Sequence, residues 1–100
     1  MSTFIVPVSS DYDIDLNVDG SNVLYIDNNT STNIMITLPD CSQNDSLEYH
    51  FFNNSRDVLV TFTVIPYSGQ SIVGSDNGVI LTNGNTLHLI SYNVQWYQIV

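Results

Sequence analysis

The sequence predicts an all-β protein: one antiparallel β-sandwich of jelly-roll-like form, spanning residues 1–100. Three observations predict it. The chain has no alanine and no lysine, both good helix formers, while Val, Ile, Leu, Phe and Tyr dominate its 43% hydrophobic content. Apolar and polar residues alternate at a period of two, and no stretch of useful length keeps the helical period. Turn signals recur every ~8–12 residues, the rhythm of sandwiches and barrels.

The elements follow in order. Phe4 to Val8 is a short apolar run that Pro7 marks as an edge or terminal strand. Tyr12, Ile14, Leu16 and Val18 alternate with Asp13, Asp15 and Asn17, the mark of a half-buried strand, and Asp19-Gly20 then offers a hairpin turn. Val23 to Ile26 is a strand, Asn28 to Asn33 a polar loop, and Ile34, Ile36 and Leu38 the next apolar face, closed by Pro39. After a loop from Asp40 to Ser46 comes the aromatic strand Leu47 to Phe52. A turn over Asn53 to Asp57 leads to Val58, Val60, Phe62 and Val64, which alternate with Leu59, Thr61 and Thr63.

Beyond the break at Pro66 to Gly69, Ile72-Val73 is a short strand closed by a turn from Gly74 to Gly78. Val79 to Leu81 and Thr86 to Ile90 flank Asn83-Gly84, the best hairpin signal in the chain, because both residues accept the positive φ of a type I′ turn. Tyr92 to Val94 is a last turn and Gln95 to Val100 a last strand. Connections this short lead us to expect mostly antiparallel neighbours. The expected core comprises Ile14, Leu16 and Val18; Ile34, Ile36 and Leu38; Tyr49 and Phe51; and Val58, Val60, Phe62 and Val64.

Length allows one domain, which buries roughly 65% of the surface its unfolded chain exposes. Charge narrows the function. Ten acidic residues face a single basic one, Arg56, for a net charge of −9. Phosphate backbones and anionic lipids need clustered Lys and Arg, so neither nucleic acid nor membrane is an expected partner. No apolar run approaches the ~20 residues of a membrane span. Residues 1–10 show neither a basic n-region nor a long apolar stretch, so no secretory leader is expected. Sequons at Asn28, Asn29, Asn44 and Asn53 read as chance matches in an Asn- and Ser-rich chain.

Catalytic signatures are missing. No G-x-S-x-G element surrounds any serine, and His50 and His88, the two histidines, read as structural or surface residues. Two histidines far apart in sequence and one cysteine are a poor zinc set, and Cys41 reads as a reduced thiol. No enzyme activity, metal or cofactor is therefore expected. Two weaker candidates stand out. Asp11, Asp13 and Asp15 lie on one face of a strand and offer oxygen ligands to a cation, although alternate strand residues sit roughly 6.5–7 Å apart, too far for all to reach one ion. Their simpler role is a solvated face that resists edge-to-edge pairing. Tyr67, Tyr92, Trp96 and Tyr97 are aromatic candidates for contact with a glycan or a partner, although aromatics in β-proteins more often fill cores and interfaces.

Several strands, including Val23 to Ile26, Ile72-Val73, Val79 to Leu81 and the last one, are apolar on both faces. A second face of that kind calls for cover by another sheet or another subunit. One further pattern bears on identity. Ile34-Met35-Ile36-Thr37-Leu38-Pro39 is followed by Glu48-Tyr49-His50-Phe51-Phe52-Asn53-Asn54 and Val60-Thr61-Phe62-Thr63-Val64-Ile65-Pro66. Gly69-Gln70-Ser71-Ile72-Val73-Gly74, Leu87-His88-Leu89-Ile90-Ser91 and Trp96-Tyr97 complete the succession.

This order resembles β-rich domains of phage tail fibres, spikes and related virion structural proteins, over roughly Val23 to Val100. The chain departs from that pattern at Ser46-Leu47, where a glycine is usual, and at Tyr92-Asn93, where an Asp-Gly turn is usual. The resemblance implies a sandwich-like unit assembled as a homotrimer in a virion, made in the host cytoplasm, with no catalytic residues. The expected function is a small capsid-associated, spike or fibre component, contacting itself and other virion proteins. The alternative is a lectin-like module for a host-surface glycan.

Overall fold

The computed structural model describes residues 3–8, 10–16, 23–28, 32–55, 57–73 and 78–99, with backbone alone for 3–7 and 23–28. Nine strands are described: β1 (Thr3–Val8), β2 (Tyr12–Asp13), β3 (Val23–Asn28), β4 (Ile34–Thr37), β5 (Glu48–Asn53), β6 (Phe62–Ile65), β7 (Val79–Leu81), β8 (Thr86–Tyr92) and β9 (Gln95–Gln98). They form a five-stranded sheet in the order β1-β3-β5-β8-β9 and a four-stranded sheet in the order β2-β4-β6-β7. The all-β class read from composition and periodicity stands. Pro7 sits as expected in an edge strand.

The pairing differs from the antiparallel, jelly-roll-like expectation. Four of the seven described pairings are parallel: β1 with β3, β3 with β5, β2 with β4, and β4 with β6. The chain does not fold back beside itself after each strand. It crosses to the opposite sheet and returns one position along, so Thr3 pairs with Val23, Leu24 with Tyr49 and Ile34 with Phe62. A parallel neighbour needs a crossover of a dozen or more residues, and here a strand of the facing sheet supplies it in place of the usual helix. Antiparallel pairing begins at β6 with β7 and continues in β5 with β8 and β8 with β9. Flattened coils of chain are thus finished by reversed strands.

Asn83-Gly84 shows why local signals misled. The turn is real: the Asn85 N–H donates to the Thr82 carbonyl at 3.1 Å and Gly84 has φ 84°. It is not a hairpin, because β7 lies in one sheet and β8 in the other. A single positive φ at the third residue fits a type II turn, which redirects the chain between layers. The two-residue hairpin is instead Asn93-Val94, between paired Tyr92 and Gln95, with both φ values positive as type I′ requires.

The sheets enclose one core. Ile34, Ile36, Phe62, Val64 and Leu81 from the four-stranded sheet meet Val8, Tyr49, Phe51, Leu87, Leu89 and Trp96 from the other, with Ile14, Leu38, Cys41, Leu47 and Ile72 packed among them. Phe51 and Phe62 touch edge-to-face across the layers at 6.0 Å, and Tyr49 packs on Trp96 at 5.5 Å. The alternation Tyr49, Phe51, Asn53 inward and Glu48, His50, Phe52 outward makes β5 the central plank. Asn53 is fully buried: its amide donates to the carbonyls of Val60 at 2.9 Å and Leu81 at 3.0 Å, tying the two sheets together. A glycan on this sequon asparagine would break both bonds. Gly78, at φ 102°, lets β7 approach β6 closely, since a Cβ there would lie 2.5 Å from the Val64 carbonyl oxygen.

Two core expectations change. Val58 is 73% exposed, because Asp57 caps a turn there: its carboxylate accepts the Leu59 N–H at 3.0 Å and its carbonyl the Val60 N–H at 3.1 Å. The strand therefore starts at Phe62. Leu16 is only half-buried, at the margin of the core. Val18, the Asp19-Gly20 turn, most of the Gly74 to Gly78 turn, Arg56 and the side chains of Val23 to Ile26 lie outside the described residues.

Candidate functional site

The outward face of the five-stranded sheet carries a cluster the sequence did not announce. His50 on β5 and His88 on β8 stand directly opposite each other. The Ser91 N–H donates to Leu47 at one end of this ladder and the Asn53 N–H to Asn85 at the other. Bonded pairs alternate between those ends, so His50 and His88 fall in a non-hydrogen-bonded pair, where side chains come closest. Their rings stack with centroids 3.7 Å apart and planes at 20°.

Glu48, two residues before His50 on the same face, reaches both rings. Its Oε2 lies 2.6 Å from His88 Nε2 and 3.3 Å from His50 Nε2. All three side chains are half-buried. As a surface ion pair the arrangement is worth at most about 1 kcal/mol. As a ligand set it is the sole trio of His, Cys or carboxylate atoms within 4.8 Å of one another among the described residues.

Local structure sets this register. The Ser91 hydroxyl donates to the Asn44 carbonyl at 2.8 Å and accepts the Leu47 N–H at 2.9 Å, and the Ser46 N–H donates to the Ser91 carbonyl at 2.7 Å. These bonds pin the entry of β5 against β8 and bring Glu48 level with the histidines. The signal available in the sequence was modest: each histidine occupies an outward slot between buried Tyr49 and Phe51 or Leu87 and Leu89. What brings the two slots together is the β5–β8 pairing, which no local pattern encodes. The pairing brings side by side two histidines that lie far apart in sequence.

The other candidates scatter. Asp11, Asp13 and Asp15 are exposed and form no three-ligand group; the Asp11 carboxylate accepts the Met35 N–H at 2.9 Å, extending the contact of β2 with β4. Tyr92 is 60% exposed and its ring lies 6.2 Å from that of half-buried Tyr97. Trp96 is fully buried and cannot stack on a ligand, because its place on β9 turns it inward onto Tyr49 while Tyr97 turns out. Neither a family model, nor a characterised protein, nor a solved structure matches the chain.

Tyr67 and two of the aspartates do share a feature. Asp13, Asp15, Thr37, Asp40 and Tyr67 line an open groove of about 360 Å³ floored by Ile14 and Leu38. Gln70 holds Asp40 in place: Nε2 donates to Asp40 Oδ1 at 2.7 Å, while Oε1 accepts the Cys41 N–H at 3.2 Å and thiol at 3.3 Å. Hydrogen bonds from the Ser42 backbone, the Ser42 hydroxyl and Gln70 hold the Asp40 carboxyl below its ordinary pKa. The groove is therefore a row of acceptors beside one exposed aromatic ring.

Proposed function

We propose that the protein is a non-enzymatic structural part of a virion, a small capsid-associated, spike or fibre component that assembles as a homotrimer through its sheet faces. The observation that carries this reading is apolar surface on the outward sides of both sheets. On the four-stranded sheet Met35 and Ile80 flank Thr63 in one cross-strand row, 42% and 64% exposed. On the five-stranded sheet Phe52, Tyr92 and Ile99 are exposed around the histidine cluster. Such residues gain about 25 cal/mol per Å² when a neighbour covers them, and exposed apolar patches mark interaction sites. The virion assignment rests on the resemblance in motif order.

Sedimentation of the purified chain tests the assembly. A trimer that Ile80→Asp converts to monomer supports it, and a wild-type monomer at high concentration overturns it. A second reading, a glycan-binding module, is favoured by the groove, where Tyr67 offers a face for a sugar ring and Asp13, Asp15 and Asp40 accept from its hydroxyls. A glycan array on which wild type binds and Tyr67→Ala does not would favour it over the purely structural reading.

A further inference from the structure

We infer that Glu48, His50 and His88 bind one divalent transition-metal ion, through both imidazole Nε2 atoms and one carboxylate oxygen. A tetrahedral ion with bonds near 2.0–2.1 Å holds its ligand atoms about 3.3 Å apart. The Glu48 Oε2 to His50 Nε2 distance is already 3.3 Å. The contact to His88 Nε2, at 2.6 Å, is that of a hydrogen bond, and it has to open by about 0.7 Å to admit an ion between the two atoms. The stacked rings present their Nε2 atoms to the same oxygen. All three ligand atoms lie within 4.8 Å of one another.

The donor set selects the class of ion. Two imidazoles and one carboxylate suit zinc, cobalt, nickel or copper, whereas calcium and magnesium require oxygen ligands in greater number. An acidic chain of net charge −9 attracts cations to the site. A surface ion pair needs only one imidazole, and a second one converging on the same carboxylate oxygen is what a ligand set requires. Binding would clip β5 to β8 across the middle of the five-stranded sheet, joining two strands far apart in sequence, so metal affinity becomes folding stability. Water completes the coordination on the solvent side.

The test uses the full chain stripped of metal with a chelator. Calorimetric titration with Zn²⁺ alone is expected to give one ion per chain, and Co²⁺ the visible absorption of a tetrahedral nitrogen–oxygen centre. Loss of a direct ligand in His50→Ala or His88→Ala lowers affinity at least about 10-fold, no less than the loss of an outer-shell partner does, while Asp13→Asn leaves it unchanged. Zn²⁺ is expected to raise the melting temperature of wild type and not that of His88→Ala. Absence of saturable binding, or histidine variants that bind within twofold of wild type, overturns the inference. Should the variants fail to fold, the imidazole NMR signals of wild type decide: both histidines shift on adding Zn²⁺, or the site is refuted.

Discussion

Asn53→Asp isolates the bond between the two sheets with the smallest change of shape. The wild-type amide is fully buried and donates to Val60 and Leu81 at 2.9 and 3.0 Å, while its oxygen accepts the Ser55 N–H at 3.3 Å. Aspartate replaces the NH₂ with an oxygen, so two carbonyl dipoles that had donors now face an anion. Stranding a buried charge without a counterion costs about 3–5 kcal/mol, a figure that includes the two lost hydrogen bonds. Domains of this size are stable by about 5–15 kcal/mol, so the variant should stand near its unfolding threshold at pH 7.

Protonation repairs part of the damage. Burial raises the new carboxyl's folded pKa above its unfolded value of about 3.9. The variant's stability is therefore best below that value and falls as pH rises through the folded pKa. In the protonated form one O–H serves one of the two carbonyls, leaving a deficit of about 1–2 kcal/mol. Urea unfolding followed by fluorescence of the single tryptophan, Trp96, reads the difference from wild type near pH 4 and at pH 7. A loss under about 1 kcal/mol at pH 7, or the same loss at both pH values, would refute the role given to Asn53.

Two further outcomes follow from backbone strain and burial. Val94 is a β-branched residue at φ 62° and 44% exposed; Val94→Gly relieves a left-handed conformation costing about 1–2 kcal/mol against a glycine entropy loss of about 0.5–1 kcal/mol, so thermal unfolding should move up by a few degrees, and an unchanged or lower midpoint counts against the type I′ assignment. Burial, reinforced by Asp40 and Asp45 and offset in part by its own backbone amide, pushes the Cys41 thiol above its ordinary 9.0. The native thiol should then resist a disulfide reagent at neutral pH. Because the folded pKa is raised, this contribution to stability is complete below the unfolded value and disappears as pH rises through the folded one. Wild type should accordingly lose more stability above about pH 9 than Cys41→Val does, and parallel profiles for the two would contradict the assigned burial.

How much of this was legible beforehand depends on the range of each interaction. Strand faces are a local property, since successive side chains point to opposite sides. Ile34 and Ile36, Tyr49 and Phe51, Phe62 and Val64 could therefore be assigned to the core from alternation alone, and they lie there. Pro7 likewise announced an edge through its own missing N–H. Val58 failed because a single capping carboxylate, Asp57, outweighed four residues of good alternation.

Which strand lies beside which is another matter. Every strand offers the same row of N–H and C=O groups, so the ladder carries no address, and a turn such as Asn83-Gly84 serves a hairpin and a change of layer equally well. The choice is made by the whole core at once, through contacts such as Phe51 on Phe62 and the amide of Asn53 spanning both sheets. From sequence the histidines were isolated residues; the parallel coiling and the reversed strands that close it set them face to face over one glutamate. The sequence by itself determined an acidic all-β chain and the faces of most of its strands. Only the tertiary structure decided the partners of those strands, and with them the Glu48–His50–His88 cluster, because pairing is a long-range property that no short stretch of chain encodes.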